Sequence, residues 1–255
     1  MTRALLFCVA LLFPATHTQA QDLTPALQSV LQRLSASAPT EYADQIVGAI
    51  QATPLLKAQL GALAEAGILK EIKAQEQAAL PAKAGMFGGF AGDNSILFTL
   101  QYLVALRKER YFDVRHDDDV PPNHMVFALG HLAQHLAAAD ELRTAQRNLR
   151  PAALGDMVNL QLQTEARAWI AGWNAMINNA IIRNGPKPLA VPQIGQLIMN
   201  FRYRAFVLKA MKPPADDAVT VEALTFSPSG ALENSPRNVA AFVAALKHSQ
   251  MADIE

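Results

Sequence analysis

The segment from Pro121 to about Arg150 most constrains how this chain folds. Pro121, Pro122 and Asn123 form a helix-start signal, and apolar residues then recur at steps of three and four. The pattern has two adjacent stripes, one with Met125, Leu129, Leu132, Leu136 and Ala139, the other with His124, Ala128, His131, His135, Ala138 and Leu142. Both stripes are predicted to face inward, so this helix carries histidines into the interior of the protein.

The spacing of His131 and His135 places two imidazoles one turn apart on the same helix face. Both can then bind one ion at about 2.0–2.1 Å. Four of the six histidines, His116, His124, His131 and His135, fall within one short stretch of the chain. A buried imidazole needs a hydrogen-bond partner or a metal, because burying a polar group without one costs roughly 1–3 kcal/mol. Two interpretations stay open: the pair binds a metal, or it consists of hydrogen-bonded core histidines.

A second helical pattern, from Asp156 to Ile182, has one carboxylate in its apolar stripe. The stripe consists of Val158, Leu162, Glu165, Trp169, Gly172 and Met176. A buried glutamate is either protonated or paired with a cation, and a metal ion satisfies it directly. Two histidines and a glutamate, with a fourth position for water, form the ligand set of one class of catalytic zinc site. The alternative is an ion pair between Glu165 and Arg202 or Arg204.

Helical periodicity also dominates the rest of the chain. It predicts helices over Leu23 to Leu34, Glu41 to Ile50, Pro54 to Ala79 and Arg237 to Lys247. A glycine-rich turn from Gly85 to Gly92 interrupts this pattern and is followed by a predicted strand over residues 94–100, and a short strand is predicted at Val219 to Phe226. The expected fold is therefore mainly α (α+β), with one small antiparallel strand or sheet element.

Residues 1–20 have the features of a signal peptide. Arg3 provides a positive charge, Ala4 to Phe13 an apolar core, and Thr18 to Ala20 a small-residue cleavage site. The apolar core is shorter than the ~20 residues that span a bilayer. We therefore expect a periplasmic or secreted protein whose residues 21–255 form a single, mainly helical domain with no membrane partner. An uncleaved anchor is the alternative.

Loss of residues 1–20 removes Cys8, which is the one cysteine of the chain. Because no disulfide can form, an apolar core must hold the fold together, and 51% hydrophobic residues can supply it. The 22 basic and 22 acidic residues are balanced. This balance argues against nucleic acid as a partner.

The order of these elements resembles the core of gluzincin-type zinc metallopeptidases, particularly small bacterial proteins with a Gly-His-Glu-x-x-His stretch. Gly130-His131, His135 and Glu165-Ala166 carry the resemblance, which covers about residues 84–182. It implies a zincin-like helical core in which His131, His135 and Glu165 hold zinc. It also implies that an extended peptide or protein pairs along the strand at 94–100.

The chain departs from this family at the general base. The family has a glutamate directly after the first histidine, and Leu132 occupies that position here. General acid-base groups contribute ~10²–10⁴-fold to rate, so we expect hydrolytic activity to be lost or strongly reduced. Asp117, Asp118 or Asp119 could supply another carboxylate and Tyr203 an oxyanion donor, but a solvated acidic turn and ordinary packing are the favoured interpretations of these residues. The alternative function is a noncatalytic α-helical periplasmic binding or assembly protein with structural histidines.

Overall fold

A computed structural model of the protein describes residues 22–76, 89–101, 103–104, 123–148, 150, 154–184 and 224–251. The fold of this part is mainly helical, with a small sheet, as predicted. In chain order the elements are α1 (Pro25–Ser37), α2 (Thr40–Ala52), α3 (Pro54–Glu65), β1 (Glu71–Gln75), β2 (Gly89–Gly92), β3 (Ser95–Thr99), α4 (Asn123–Arg147), α5 (Leu154–Asn184) and α6 (Pro236–Met251).

The first helix begins where its sequence signals place it. The Thr24 side chain accepts a hydrogen bond of 3.3 Å from the Leu27 amide, and Pro25 occupies the first turn, where its missing amide hydrogen costs nothing. The apolar face of α1 is buried at Leu27, Val30, Leu31 and Leu34. This agrees with the predicted helix at Leu23 to Leu34.

The predicted helix from Pro54 to Ala79 is wrong beyond Glu65. Gly67 has a φ of 69°. Its amide donates to the Ala64 carbonyl at 3.0 Å, and the Ile68 amide donates to the Leu63 carbonyl at 2.9 Å. These two bonds form a Schellman cap, which glycine favours because it adopts the left-handed conformation without a Cβ clash. The chain then enters β1, and residues 77–79 lie outside the described part.

The sheet is mixed, not antiparallel as predicted. Its strand order is β1-β3-β2, with β3 parallel to β1 and antiparallel to β2. Asp93 and Asn94, with φ values of 48° and 64°, form the two-residue turn between β2 and β3. The predicted strand at 94–100 corresponds to β3, but β3 is the central strand. Within the described sheet its backbone is therefore already paired on both sides.

One apolar cluster, called the N-terminal core, joins α1, α2, α3, the sheet and α4. Its largest members are fully buried and include Leu27, Leu34, Ile46, Leu60, Ile72, Ile96 and Phe98. One stripe of α4 completes it through Met125, Leu129, Leu132 and Leu136. This stripe faces inward as the sequence predicts.

The longest helices, α4 and α5, pack against each other at a close approach that we call the helix crossing. A Cβ atom on Gly130 would lie 2.9 Å from the Ala175 Cβ and 3.0 Å from the Ala171 carbonyl oxygen. A Cβ on Gly172 would lie 2.8 Å from the ring of Phe127. Glycine at both positions therefore allows the two backbones to approach closely.

A second apolar cluster holds α5 against the C-terminal part of the chain. It contains Ile170, Trp173, Met176, Ile177, Leu224 and Leu232. The Asn174 side chain also bonds the Leu232 backbone twice, donating to its carbonyl at 2.9 Å and accepting from its amide at 2.7 Å. Within the described ranges, no single helix is long and apolar enough to cross a membrane. The pair α2 and α3, bent by 105°, reaches the necessary length and apolar composition together.

Candidate metal centre

The three residues singled out by the sequence come together at the helix crossing. His131 and His135 lie one turn apart on α4, and Glu165 lies on α5. The contact between Gly130 and α5 brings the start of this histidine pair close to the facing helix. One nitrogen or oxygen atom from each of the three side chains lies within 4.8 Å of the other two.

The distances within this cluster suit a tetrahedral ion. The two histidine Nε2 atoms are 3.1 Å apart. Glu165 Oε2 lies 2.9 Å from His135 Nε2, and Glu165 Oε1 lies 3.6 Å from His131 Nε2. Ligands about 2.0–2.1 Å from a tetrahedral zinc ion are separated by about 3.3–3.4 Å. The Nε2–Nε2 separation and the separation of His135 Nε2 from Glu165 Oε2 lie within a few tenths of an ångström of that value, whereas the 3.6 Å distance is to the other carboxylate oxygen.

The cluster lies at the edge of the protein interior. The His131 side chain is 5% exposed, whereas those of His135 and Glu165 are 25% and 33% exposed. One side of the site is thus closed by protein and the other reaches solvent. A bound ion would therefore have protein ligands on one side and room for water on the other.

His131 and Glu165 are both held in the protonation states that bind metals. Burial lowers the pKa of His131 to about 4, and the charge of Glu165 partly opposes this change. His135 has a smaller lowering effect on the pKa, and a hydrogen bond with the Ala168 backbone raises it. Burial alone would raise the pKa of Glu165. The hydrogen bond from His135, the neighbouring imidazoles and the bond from Trp169 outweigh it and lower that pKa to about 2. At neutral pH His131 is neutral and Glu165 is ionised.

Aromatic side chains surround the buried end of the cluster. The ring of Phe127 stacks on His131 at 5.7 Å with an interplanar angle of 29°, and its centre lies 5.4 Å from that of Trp169. Trp169 meets His131 edge-on at 6.0 Å. The Trp169 indole also donates to Glu165 Oε1 at 2.9 Å. These contacts restrict the orientation of both His131 and Glu165.

The general-base position faces away from this cluster. Leu132 is 5% exposed and belongs to the N-terminal core. His131 thus lies at the helix crossing, whereas the adjacent Leu132 packs in the N-terminal core. The cluster supplies metal ligands but, among the described residues, no second carboxylate near them.

The structure describes only some of the residues predicted to lie near the site. The stripe proposed for α5 is wrong at Val158, which is 48% exposed, because this residue lies in the first turns of α5, outside both apolar clusters. The described partners of Glu165 are His131, His135 and Trp169. The arginines proposed as its alternative partners fall outside the described residues, as do Tyr203, His116 and the aspartates at 117–119.

Three residues of the site were not assigned to it by sequence reasoning. Trp169 belongs to the predicted apolar stripe of α5, and its spacing of four from Glu165 is the signal that could have shown the hydrogen bond. Phe127 likewise lies four residues before His131. Gly172 gives no such signal, because its role depends on contact with the facing helix.

Comparison of the chain with protein-family models, with curated proteins and with solved structures gives no match.

Proposed function

We propose that this is an exported, zincin-like protein that binds zinc through His131, His135 and Glu165 and has lost most or all hydrolytic activity. The observation that carries the proposal is that His131, His135 and Glu165 each place one ligand atom within 4.8 Å of the other two, with an Nε2–Nε2 separation of 3.1 Å and a His135 Nε2–Glu165 Oε2 separation of 2.9 Å. Both separations lie within a few tenths of an ångström of the ligand–ligand distance around a tetrahedral zinc ion, about 3.3–3.4 Å. The signal peptide predicted at residues 1–20 and the resemblance of residues 84–182 to the gluzincin core support the wider assignment.

The donor set favours zinc over harder or softer ions. Two imidazoles and one carboxylate suit zinc, whereas magnesium and calcium prefer oxygen ligands and copper(I) prefers sulfur. The partly exposed edges of His135 and Glu165 leave a fourth position accessible to solvent. When bound there, zinc supplies Lewis-acid chemistry that polarises an oxygen atom.

The proposed loss of activity follows from Leu132. Peptide hydrolysis needs a group that takes a proton from the attacking water and passes it to the leaving amine. Leu132 has no such group and is committed to the N-terminal core. Glu165 cannot substitute for it, because its low pKa makes it a poor base and both of its oxygens already have partners.

Metal analysis of the mature protein tests the proposal. We expect one zinc per chain in the wild type and far less in a His135→Ala variant, measured by plasma emission spectroscopy after dialysis against zinc. Gln134→Ala, on the same helix but outside the cluster, is the control and should retain zinc. Equal zinc content in the wild type and His135→Ala, or none in either, would remove the proposed site.

A second candidate is a noncatalytic α-helical periplasmic binding or assembly protein whose histidines are structural. It is favoured by the hydrogen bonds that Glu165 already has, from His135 at 2.9 Å and from Trp169 at 2.9 Å. A carboxylate so satisfied can stabilise the helix crossing without an ion. In that case no variant binds zinc, and His135→Ala lowers the free energy of unfolding in chelator as much as in added zinc.

A further inference from the structure

We infer that Trp169 is a positioning residue that makes Glu165 a one-oxygen metal ligand. This inference rests on the proposed zinc site and adds a residue that acts through Glu165. Trp169 lies one turn after Glu165 on α5, and its indole nitrogen donates to Oε1 at 2.9 Å. The other oxygen, Oε2, faces His135 Nε2 at 2.9 Å.

A carboxylate at the end of a glutamate side chain can rotate freely unless something holds it. Freely rotating, it can bind an ion through one oxygen or through both. A hydrogen bond to Oε1 fixes the plane of the group and directs Oε2 at the ion. Such hydrogen bonds to a ligand typically contribute 10–100-fold to metal affinity.

The indole itself is held in place by its surroundings. Phe127 packs edge-on against Trp169 at 5.4 Å and stacks on His131 at 5.7 Å. Gly172 in turn leaves the space that the Phe127 ring occupies. The close packing at the helix crossing therefore restricts the Phe127 ring, and this ring restricts the orientations of Trp169 and His131. One aromatic contact network orients a ligand on each helix.

The chain contains a matched control for this residue. Its other tryptophan, Trp173, lies one turn further along α5, is 4% exposed and donates its indole hydrogen to the Gly230 carbonyl oxygen at 3.3 Å. Trp173 belongs to the second apolar cluster and has no contact with Glu165 among its described interactions. Replacing either indole by phenylalanine removes one hydrogen-bond donor and keeps an aromatic ring.

The experiment compares Trp169→Phe with Trp173→Phe by zinc titration against a competing chelator. We expect the dissociation constant for zinc to rise 10–100-fold in Trp169→Phe and by less than about threefold in Trp173→Phe. Cobalt(II) serves as a spectroscopic probe, because its visible absorption weakens as coordination rises above four. Trp169→Phe should weaken this absorption as the freed carboxylate binds through both oxygens. Unchanged affinity and spectrum in Trp169→Phe would overturn the inference.

A measurement on the wild type keeps the inference testable if Trp169→Phe does not fold. ¹⁵N NMR would follow the two indole N–H signals of the wild type, and the spectrum of Trp173→Phe would assign them. We expect zinc to shift the Trp169 signal and to slow its exchange with solvent, leaving the Trp173 signal in place. Zinc binding without any change at Trp169 would overturn the inference and leave the proposed function intact. If the wild type binds no zinc, the proposed function itself fails.

Discussion

The N-terminal core and the helix crossing share α4 but are stabilised in different ways. The N-terminal core buries side chains such as Leu27, Ile46 and Phe98, which contribute roughly 1.5–3 kcal/mol each at any ordinary pH. The helix crossing instead contains three ionisable groups whose contribution depends on protons and ions. The boundary between the two regions runs between adjacent residues, Leu132 and His131. One helix can therefore carry a functional site when a separate apolar region secures it.

A carboxylate on the apolar side of α4 should have the largest effect on the division between the two regions. We expect Leu132→Glu to lower the free energy of unfolding by about 3–5 kcal/mol, because an unpaired charge would enter the N-terminal core. Leu132→Met conserves volume and should cost less than about 1.5 kcal/mol. Urea unfolding measures both. A stable Leu132→Glu protein that hydrolyses peptides would instead mean that residue 132 reaches the metal centre.

Acid should weaken the helix crossing. The unfolded chain protonates His131 at its ordinary pKa of 6.5, whereas the folded protein does so at about 4. Between these values the unfolded state binds more protons, so stability falls as pH falls through this window. The full difference corresponds to about 3 kcal/mol. Glu165, with a pKa of about 2 in place of 4.5, adds a loss in the same direction below pH 4.5.

Urea unfolding of metal-free protein at pH 7.5, 5.5 and 4 tests this dependence. His131→Asn removes the titrating group and should flatten the stability profile between pH 6.5 and 4. An equally steep profile in that variant would assign the acid sensitivity to other residues.

Zinc should strengthen the helix crossing alone. At a free concentration 100 times the dissociation constant, zinc raises the free energy of unfolding by about 2.7 kcal/mol. The same zinc concentration should leave His135→Ala unchanged. Thermal unfolding with and without chelator measures the effect. An equal rise in both proteins would place the responsible site elsewhere.

The smallest expected effects come from glycines in the two regions. Gly130→Ala would place a Cβ 2.9 Å from that of Ala175, which should cost about 1–3 kcal/mol and weaken zinc binding by separating the helices. Gly48→Ala, in α2, meets nothing within 4 Å and should stabilise the protein by about 0.5–1 kcal/mol. Unfolding and zinc titration of both variants test the difference. Equal zinc affinity in Gly130→Ala and wild type would contradict it.

Periodicity was a good guide to the helices and to the three clustered residues. It placed α1, α2, α4, α5 and α6 and put His131 and His135 on one inward face. It failed after Glu65, because the apolar spacing of Ile68 and Ile72 continues through a cap at Gly67 that depends on a backbone conformation. Periodicity also could not predict the parallel pairing of β1 with β3, because this pairing joins two segments that are separated in the chain.

The second apolar cluster makes the helix that holds Glu165 depend on a distant part of the chain. Ile170, Trp173 and Ile177 of α5 belong to the same cluster as Leu224 and Leu232, and Phe242 packs against it. Removal of residues 224–251 would uncover this stripe of α5. A truncated chain would therefore lose support for a ligand helix while keeping all three proposed ligands.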